Sequence, residues 1–223
     1  MGEDTRPRGR AKRLDLRQIT RAAIELLDEV GLAELSTRRL AAKLGVRSPT
    51  LYWHVRDKAE LLDLVAEAIC ADAFDIDTTL PWRDQLADGL RQFRNLLLSH
   101  RDAAALLRER PPSGPHRLGH IETTVRILLE AGFPEHEAAG ISRLLAAHVL
   151  NSAQEETRAL IPPEAPGAER APTELAARLR DFPQLRRIAP AYTGLSGADL
   201  FELGIEIILD GLEHRAARDL RSS

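Results

Sequence analysis

The stretch from Thr37 to Lys58, TRRLAAKLGVRSPTLYWHVRDK, constrains this chain more than any other. It reads as two short helices around a tight turn, then a cap that starts a longer helix. Ser36 N-caps the first helix, which runs through Leu40 and Leu44 to Gly45. Gly45-Val46 is the turn, with the glycine at positive φ and Val46 entering the core. Ser48-Pro49 restarts the chain as N-cap and first helical residue, where proline's missing N–H costs nothing. The second helix sets Thr50, Tyr52, Trp53 and His54 close together, while Leu51 and Val55, four apart, face inward. Exposed hydroxyls and aromatic rings beside Arg38, Arg39, Arg47 and Lys58 suit a DNA major groove. Cations hold phosphates there, and hydroxyls, imidazole and ring edges meet base edges and thymine methyls.

These residues also carry a resemblance. LAAKLGVRSPTLYWHVRDKAELLD resembles the DNA-binding segment of the TetR family of bacterial repressors, most closely its tetracycline-responsive members. Leu98-Ser99-His100-Arg101-Asp102, Gly132-Phe133 and the stretch from Phe201-Glu202-Leu203-Gly204 to Gly211-Leu212-Glu213 resemble strings in those members' C-terminal domain. The likeness covers nearly the whole chain, strongly at the N-terminus and patchily beyond residue 105. It implies an all-α fold: an N-terminal three-helix helix-turn-helix domain and a larger α-helical ligand-binding and dimerisation domain. It also assigns base and phosphate contacts to Thr37, Arg38, Ser48, Pro49, Thr50, Tyr52, Trp53, His54 and Lys58. Ser48 stands where the family pattern has glutamine, and Arg47 where it has an acidic residue. The operator sequence is therefore expected to differ, with Arg47 adding a cation contact.

Charge agrees with a head that meets a polyanion. The net charge of −3 hides a split, because residues 1–58 hold 13 Lys/Arg against 8 Asp/Glu and the rest is acidic. No apolar run approaches a membrane span, and the N-terminus lacks a signal-peptide core, so a cytoplasmic location without membrane contact is expected. Cys70 is the only cysteine, which excludes an intramolecular disulfide and a thiolate metal cage.

In chain order, residues 1–13 read as a disordered basic arm, suited to phosphate or minor-groove contact or simply to solubility. A helix-turn-helix domain is expected over 14–60 and the ligand-binding and dimerisation domain over 61–218. Asp15 and Gln18 have capping-box spacing for a first helix to Glu29, ended by Gly31. Asp57 and Glu60 cap a fourth helix to about Phe74, the expected lever between body and head. Pro81-Trp82 opens a fifth, with a seam at Trp82, Leu86, Leu90, Phe93 and Leu97. Further helices are expected at about 102–109, 116–131 and 134–158, the last with Ile141, Leu144, Leu145, His148 and Val149 on one face. A loop over 161–172 precedes helices at about 173–187 and 197–218. Gly204 and Gly211 lie seven apart on the last helix, which suggests close approach of another backbone. The resemblance implies that this helix and the one near 134–158 form a four-helix bundle with a second copy. A palindromic operator needs two recognition helices roughly 34–36 Å apart, beyond one chain's reach, so a homodimer is expected.

Catalytic chemistry finds little support. His116 and His120 are four apart, yet no Cys or Asp completes a metal set and Glu122 lies on a different face. His100-Arg101-Asp102 echoes a kinase triplet without the accompanying Gly-rich loop, lysine or metal motif. No catalytic residues, metal or cofactor are expected. A small-molecule effector site is expected in the body, walled by Phe74, Trp82, Phe93, Leu107, Ile121, Thr124, Ile127, His148 and Asn151. Tetracycline-responsive members hold a magnesium chelate with one histidine on the metal, and another histidine and an asparagine on the drug. The alignment sets Leu107, Phe74 and Gly89 at those positions, which implies a hydrophobic or aromatic effector held without metal. The reading is a repressor released from its double-stranded DNA operator by that effector. A ligand-independent regulator or activator, and an enzyme carrying a helix-turn-helix, remain as alternatives.

Overall fold

The computed structural model describes residues 14–72, 75–159 and 179–219. The arm at 1–13, Phe74 and the loop at 161–172 lie outside them. Among the described residues the chain is all α, with ten α-helices and no strand. No helix is long and apolar enough to cross a membrane.

Three helices form the head: α1 (Leu16–Glu34), α2 (Thr37–Lys43) and α3 (Ser48–Tyr52). Asp15 caps α1, its Oδ1 accepting the Gln18 N–H at 2.7 Å. Ile19, Ala22, Ala23, Leu26 and Leu27 form the buried stripe. Regular helix breaks at Gly31, where φ is +77° and ψ 172°, so the last turn of α1 is offset rather than absent. A side chain there would be strained by that φ, and its Cβ would lie 2.8 Å from Asp102 Oδ2.

α4 (Lys58–Ile69) follows, capped by Asp57 Oδ1 on the Glu60 N–H at 2.8 Å, while Glu60 reaches back to the Arg56 N–H at 2.7 Å. Its buried residues Leu61, Leu62, Val65, Ala66 and Ile69 seal the head, because α4 packs on α1. A 3-10 turn at Cys70–Asp72 ends it.

The body comprises α5 (Trp82–Leu98), α6 (Ala103–Glu109), α7 (Pro115–Glu130), α8 (Glu135–Ala159), α9 (Pro183–Gly194) and α10 (Gly197–Asp219). α8 is central and packs on α5, α6, α7 and α10. Arg94 of α5 makes a bidentate pair with Glu156 of α8, and its guanidinium lies 5.1 Å from the Phe201 ring centroid. Arg83 and Arg91 pair with acids of α10.

Head and body meet through the His100-Arg101-Asp102 turn, a structural joint. Asp28 of α1 accepts the Arg101 N–H and lies against His100 Nδ1, both at 3.0 Å. Asp102, in the left-handed region at φ 57°, accepts the Leu32 N–H at 2.8 Å.

Four expectations need correction. α3 begins at Ser48 with Arg47 as its N-cap, one residue earlier than the serine–proline pattern suggests. The helix expected at about 173–187 begins outside the described residues; within them 179–182 are not helical, and a helix runs Pro183–Gly194 with Pro190 inside it. Leu144 is exposed while Ile141, Leu145 and Val149 of the same helix are buried. Gly204 makes room for a side chain, not a backbone: a Cβ there would lie 2.2 Å from the His148 ring, whereas a Cβ at Gly211 would meet nothing.

Candidate functional site

Two surfaces stand out, one on the head and one inside the body. On the head, α2 is capped by Ser36 Oγ, which accepts the Arg39 N–H at 3.3 Å. The chain turns at Gly45, φ +67°, and α3 follows. α3 is pinned by fully buried Leu51 and Val55, which turns its other face outward. Trp53 is 89 % exposed and Tyr52 49 %, and Arg38, Arg47, Pro49, Thr50, His54 and Lys58 are also exposed. Thr37 and Ser48 are half-buried at the same surface. All ten residues singled out for DNA contact are thus reachable on the α2–α3 side of the head.

The cations there divide into two sets. Arg39 pairs with Glu34, Lys43 with Glu29 at 2.6 Å and Glu25 at 3.4 Å, and Arg56 with Glu60. The hydrogen bond to Glu29 is the main reason the Lys43 pKa is raised. Among the described residues, no carboxylate lies within ion-pair distance of Arg38, Arg47 or Lys58. Those three charges remain available to phosphates, beside a tryptophan whose apolar surface faces water.

In the body, a cavity of about 300 Å³ opens between α5, α6, α7 and α8. Phe93, Leu107, Ile121, Thr124 and Ile127 line it, as the sequence leads one to expect. Trp82, His148 and Asn151 are placed elsewhere. Trp82 packs edge-on against Phe133, with ring centroids 5.8 Å apart. The His148 ring stacks on Phe201 at 5.6 Å in the slot that Gly204 leaves, with Nε2 3.2 Å from the Phe201 carbonyl oxygen. Asn151 is exposed and accepts a hydrogen bond from Arg108.

Several wall residues carry chemistry that sequence reasoning left unassigned. Gln85, Arg108, Arg110, Arg117, His120 and Cys70 all line the cavity. Burial pushes the His120 pKa down to about 4, so its imidazole is neutral, and the ring meets Phe93 edge-on at 6.1 Å. Burial raises the Cys70 thiol to about 11, which keeps it protonated and unreactive. Among the described residues, no three or more His, Cys, Asp or Glu side chains converge as a metal site. His116 is exposed, apart from the wall that His120 joins.

The cavity rim is bonded directly to α4. Asp63 of α4 receives two hydrogen bonds of 2.7 Å from Arg110, the main cause of its lowered pKa. Glu67, one turn further, accepts the N–H of His116 and, at 3.3 Å, that of Arg117. Those are orphan donors in the first turn of α7. Gly114 supplies no side-chain cap and Pro115 no N–H, so a carboxylate from α4 caps α7 instead.

Comparison with known proteins follows the same division. Residues 19–65 match the family model described as bacterial regulatory proteins, tetR family. Residues 77–216 match that of the tetracyclin repressor-like C-terminal domain. The chain is 34 % identical over 200 residues to the class A tetracycline repressor from transposon 1721 of Escherichia coli, covering 88 % of this chain and 89 % of that one. Streptomyces coelicolor ActR, solved in complex with actinorhodin, superposes with a TM-score of 0.76 at 31 % identity, covering 89 % of this chain and 95 % of that one. BioQ, solved with its natural double-stranded DNA operator, gives a TM-score of 0.62 at 28 % identity, covering 89 % and 98 %.

Proposed function

This chain belongs to the TetR family of bacterial regulatory proteins, and from that premise we propose a dimeric, ligand-responsive repressor of a palindromic operator. The DNA-binding head spans residues 14–60, and the body, 61–218, serves effector binding and dimerisation. Thr37, Arg38, Arg47, Ser48, Pro49, Thr50, Tyr52, Trp53, His54 and Lys58 make the DNA contacts. The phosphate-facing cations position the head, and the α3 side chains read base edges.

The observation that carries the reading is the pair of polar joints from cavity rim to α4, Asp63–Arg110 and Glu67 on the first turn of α7. An occupant that shifts α6 or the start of α7 acts on α4 through them, and α4 packs on α1 of the head. The mechanism is a population shift toward a body conformation that holds the two heads at the wrong separation. Release by about 100-fold requires roughly 3 kcal/mol of coupling between the sites.

Apolar stripes favour a second copy. Leu200, Leu203 and Ile207 of α10 are exposed in one row, as is Leu144 of α8 with the small residues Gly140 and Ala147. Two copies packed through these faces form a four-helix interface and supply both recognition helices. The effector is a hydrophobic or aromatic compound held without metal in the cavity lined by Phe93, Leu107, Ile121, Thr124 and Ile127. The likeness to ActR, solved in complex with actinorhodin, supports an organic ligand.

The test is anisotropy binding to the DNA flanking the protein's own gene, with Tyr52→Ala as the control. Tight, salt-sensitive, palindrome-specific binding that the variant loses supports the proposal. A folded dimer that shows no sequence preference in a genome-wide selection refutes it.

A further inference from the structure

Charge is distributed unevenly on the cavity wall. It includes three guanidinium groups, Arg108, Arg110 and Arg117, and no Asp or Glu. Among the described residues only Arg110 of the three is committed to a carboxylate, through its two bonds to Asp63. Arg108 donates to the neutral Asn151 amide. Arg117 donates to two carbonyls, Leu107 O at 2.9 Å and Pro111 O at 3.3 Å. Glu67 and Asp63 act on the Arg117 charge from nearby, but their oxygens are engaged by the first-turn amides of α7 and by Arg110. Burial lowers the Arg117 pKa, yet a guanidinium keeps its proton at neutral pH. A half-buried cation bonded to carbonyls alone is a strong anion receptor.

A second wall offers the opposite chemistry. Gln85 is 7 % exposed, and its Nε2 donates to Leu80 O at 2.8 Å and Thr78 O at 3.4 Å. Those bonds fix the amide orientation and leave Oε1 buried without a partner. A buried acceptor in that state gains from any donor brought to it. The hydroxyls of Thr123 and Thr124 bond their own helix, to Gly119 O and His120 O, and do not serve it.

We infer that the effector is a hydroxylated aromatic acid: its carboxylate is held by Arg117 with Arg108, and its hydroxyl donates to Gln85 Oε1. This rests on the reading of the cavity as the effector site and narrows the ligand class within it. Arg117 is the specificity-determining residue, because replacing the acid by its ester leaves a buried cation without its anion.

The test uses displacement of the neutral fluorophore aminoanthracene from the full-length protein. Naphthoic acid is compared with methyl naphthoate, and hydroxynaphthoic with methoxynaphthoic acid. The acid displaces the fluorophore at a concentration about tenfold or more below its ester, as one charge-assisted contact requires. Arg117→Gln abolishes that preference and Arg117→Lys keeps part of it. The hydroxy compound outcompetes its methoxy counterpart in wild type, and the advantage vanishes in Gln85→Leu. An ester that competes as well as its acid in wild type overturns the inference, as does an acid preference that survives Arg117→Gln. If aminoanthracene does not enter wild type, or its binding survives Thr124→Trp, the effector-site reading itself falls and takes this inference with it.

Discussion

Glu67 lies on α4 yet caps α7 of the body, and removing it gives a sharply defined expectation. Its carboxylate accepts from His116 N–H and Arg117 N–H, the first two backbone donors of α7. A lost N-terminal cap costs about 0.5–2 kcal/mol. The carboxylate's interaction with the helix dipole adds about 0.3–1 kcal/mol. Glu67→Ala is therefore expected to destabilise by about 1–3 kcal/mol, and Glu67→Gln, which keeps an acceptor but loses the charge, by about 0.3–1 kcal/mol. Urea unfolding at fixed protein concentration reads both, and Tm should fall by about 2–4 °C per kcal/mol in a chain of this size. Gly114→Ala supplies the internal control, because its Cβ would sit 2.3 Å from the Glu67 carboxyl carbon and drive that side chain off. In wild type it should cost as much as Glu67→Ala; in the Glu67→Ala background it should cost no more than the intrinsic N-cap difference between alanine and glycine. Additive costs, or a Glu67→Ala loss below about 0.3 kcal/mol, would refute the cap. The same variants should change effector release more than operator affinity.

Three further outcomes follow from the geometry. Trp53→Ala should leave stability within about 0.5 kcal/mol, since the ring is 89 % exposed, while operator affinity measured by anisotropy falls at least about tenfold. Gly204→Ala should destabilise by about 1–3 kcal/mol despite alanine's helix preference, because the added Cβ displaces the His148 ring from its stack on Phe201; thermal unfolding reads it. His120 binds its proton less readily when folded, with a pKa of about 4 against 6.5. Its contribution to stability is thus present above pH 6.5 and lost as pH falls from there toward 4. NMR titration should show a neutral imidazole at pH 5, and His120→Gln should flatten that part of the stability profile.

The head was legible because its signals are local. Ser36, Gly45, Pro49 and the Asp57–Glu60 pair each fix a helix boundary within a few residues, and Leu51 with Val55 fixes which face turns inward. The body is set by crossings between distant segments. His148 reads as a polar group on an inner helix face, but its position depends on a glycine 56 residues later, at Gly204. Gln85 and Arg117 carry no local mark of a binding site. They become wall residues only because α5, α6 and α7 converge, and the unmatched charges appear only once that wall is built. Arg110 and Pro111 fall between two expected helices, and only the structure shows Arg110 set on Asp63 and the Pro111 carbonyl on Arg117.

α4 belongs to two cores at once. One side closes the head against α1, and the same twelve residues from Lys58 to Ile69 pack on α6 and α7 of the body. This makes the molecule a poor subject for cut-and-paste recombination. A graft that joins this head to a foreign body at residue 60 inherits a lever whose inner rows, Leu61 to Ile69, were shaped by another partner. Exchange of operator preference by single substitutions along α3 leaves that seam intact. Point changes on the outward face of α3 or on the cavity wall, unlike such a graft, leave α4 in place as the part both cores share.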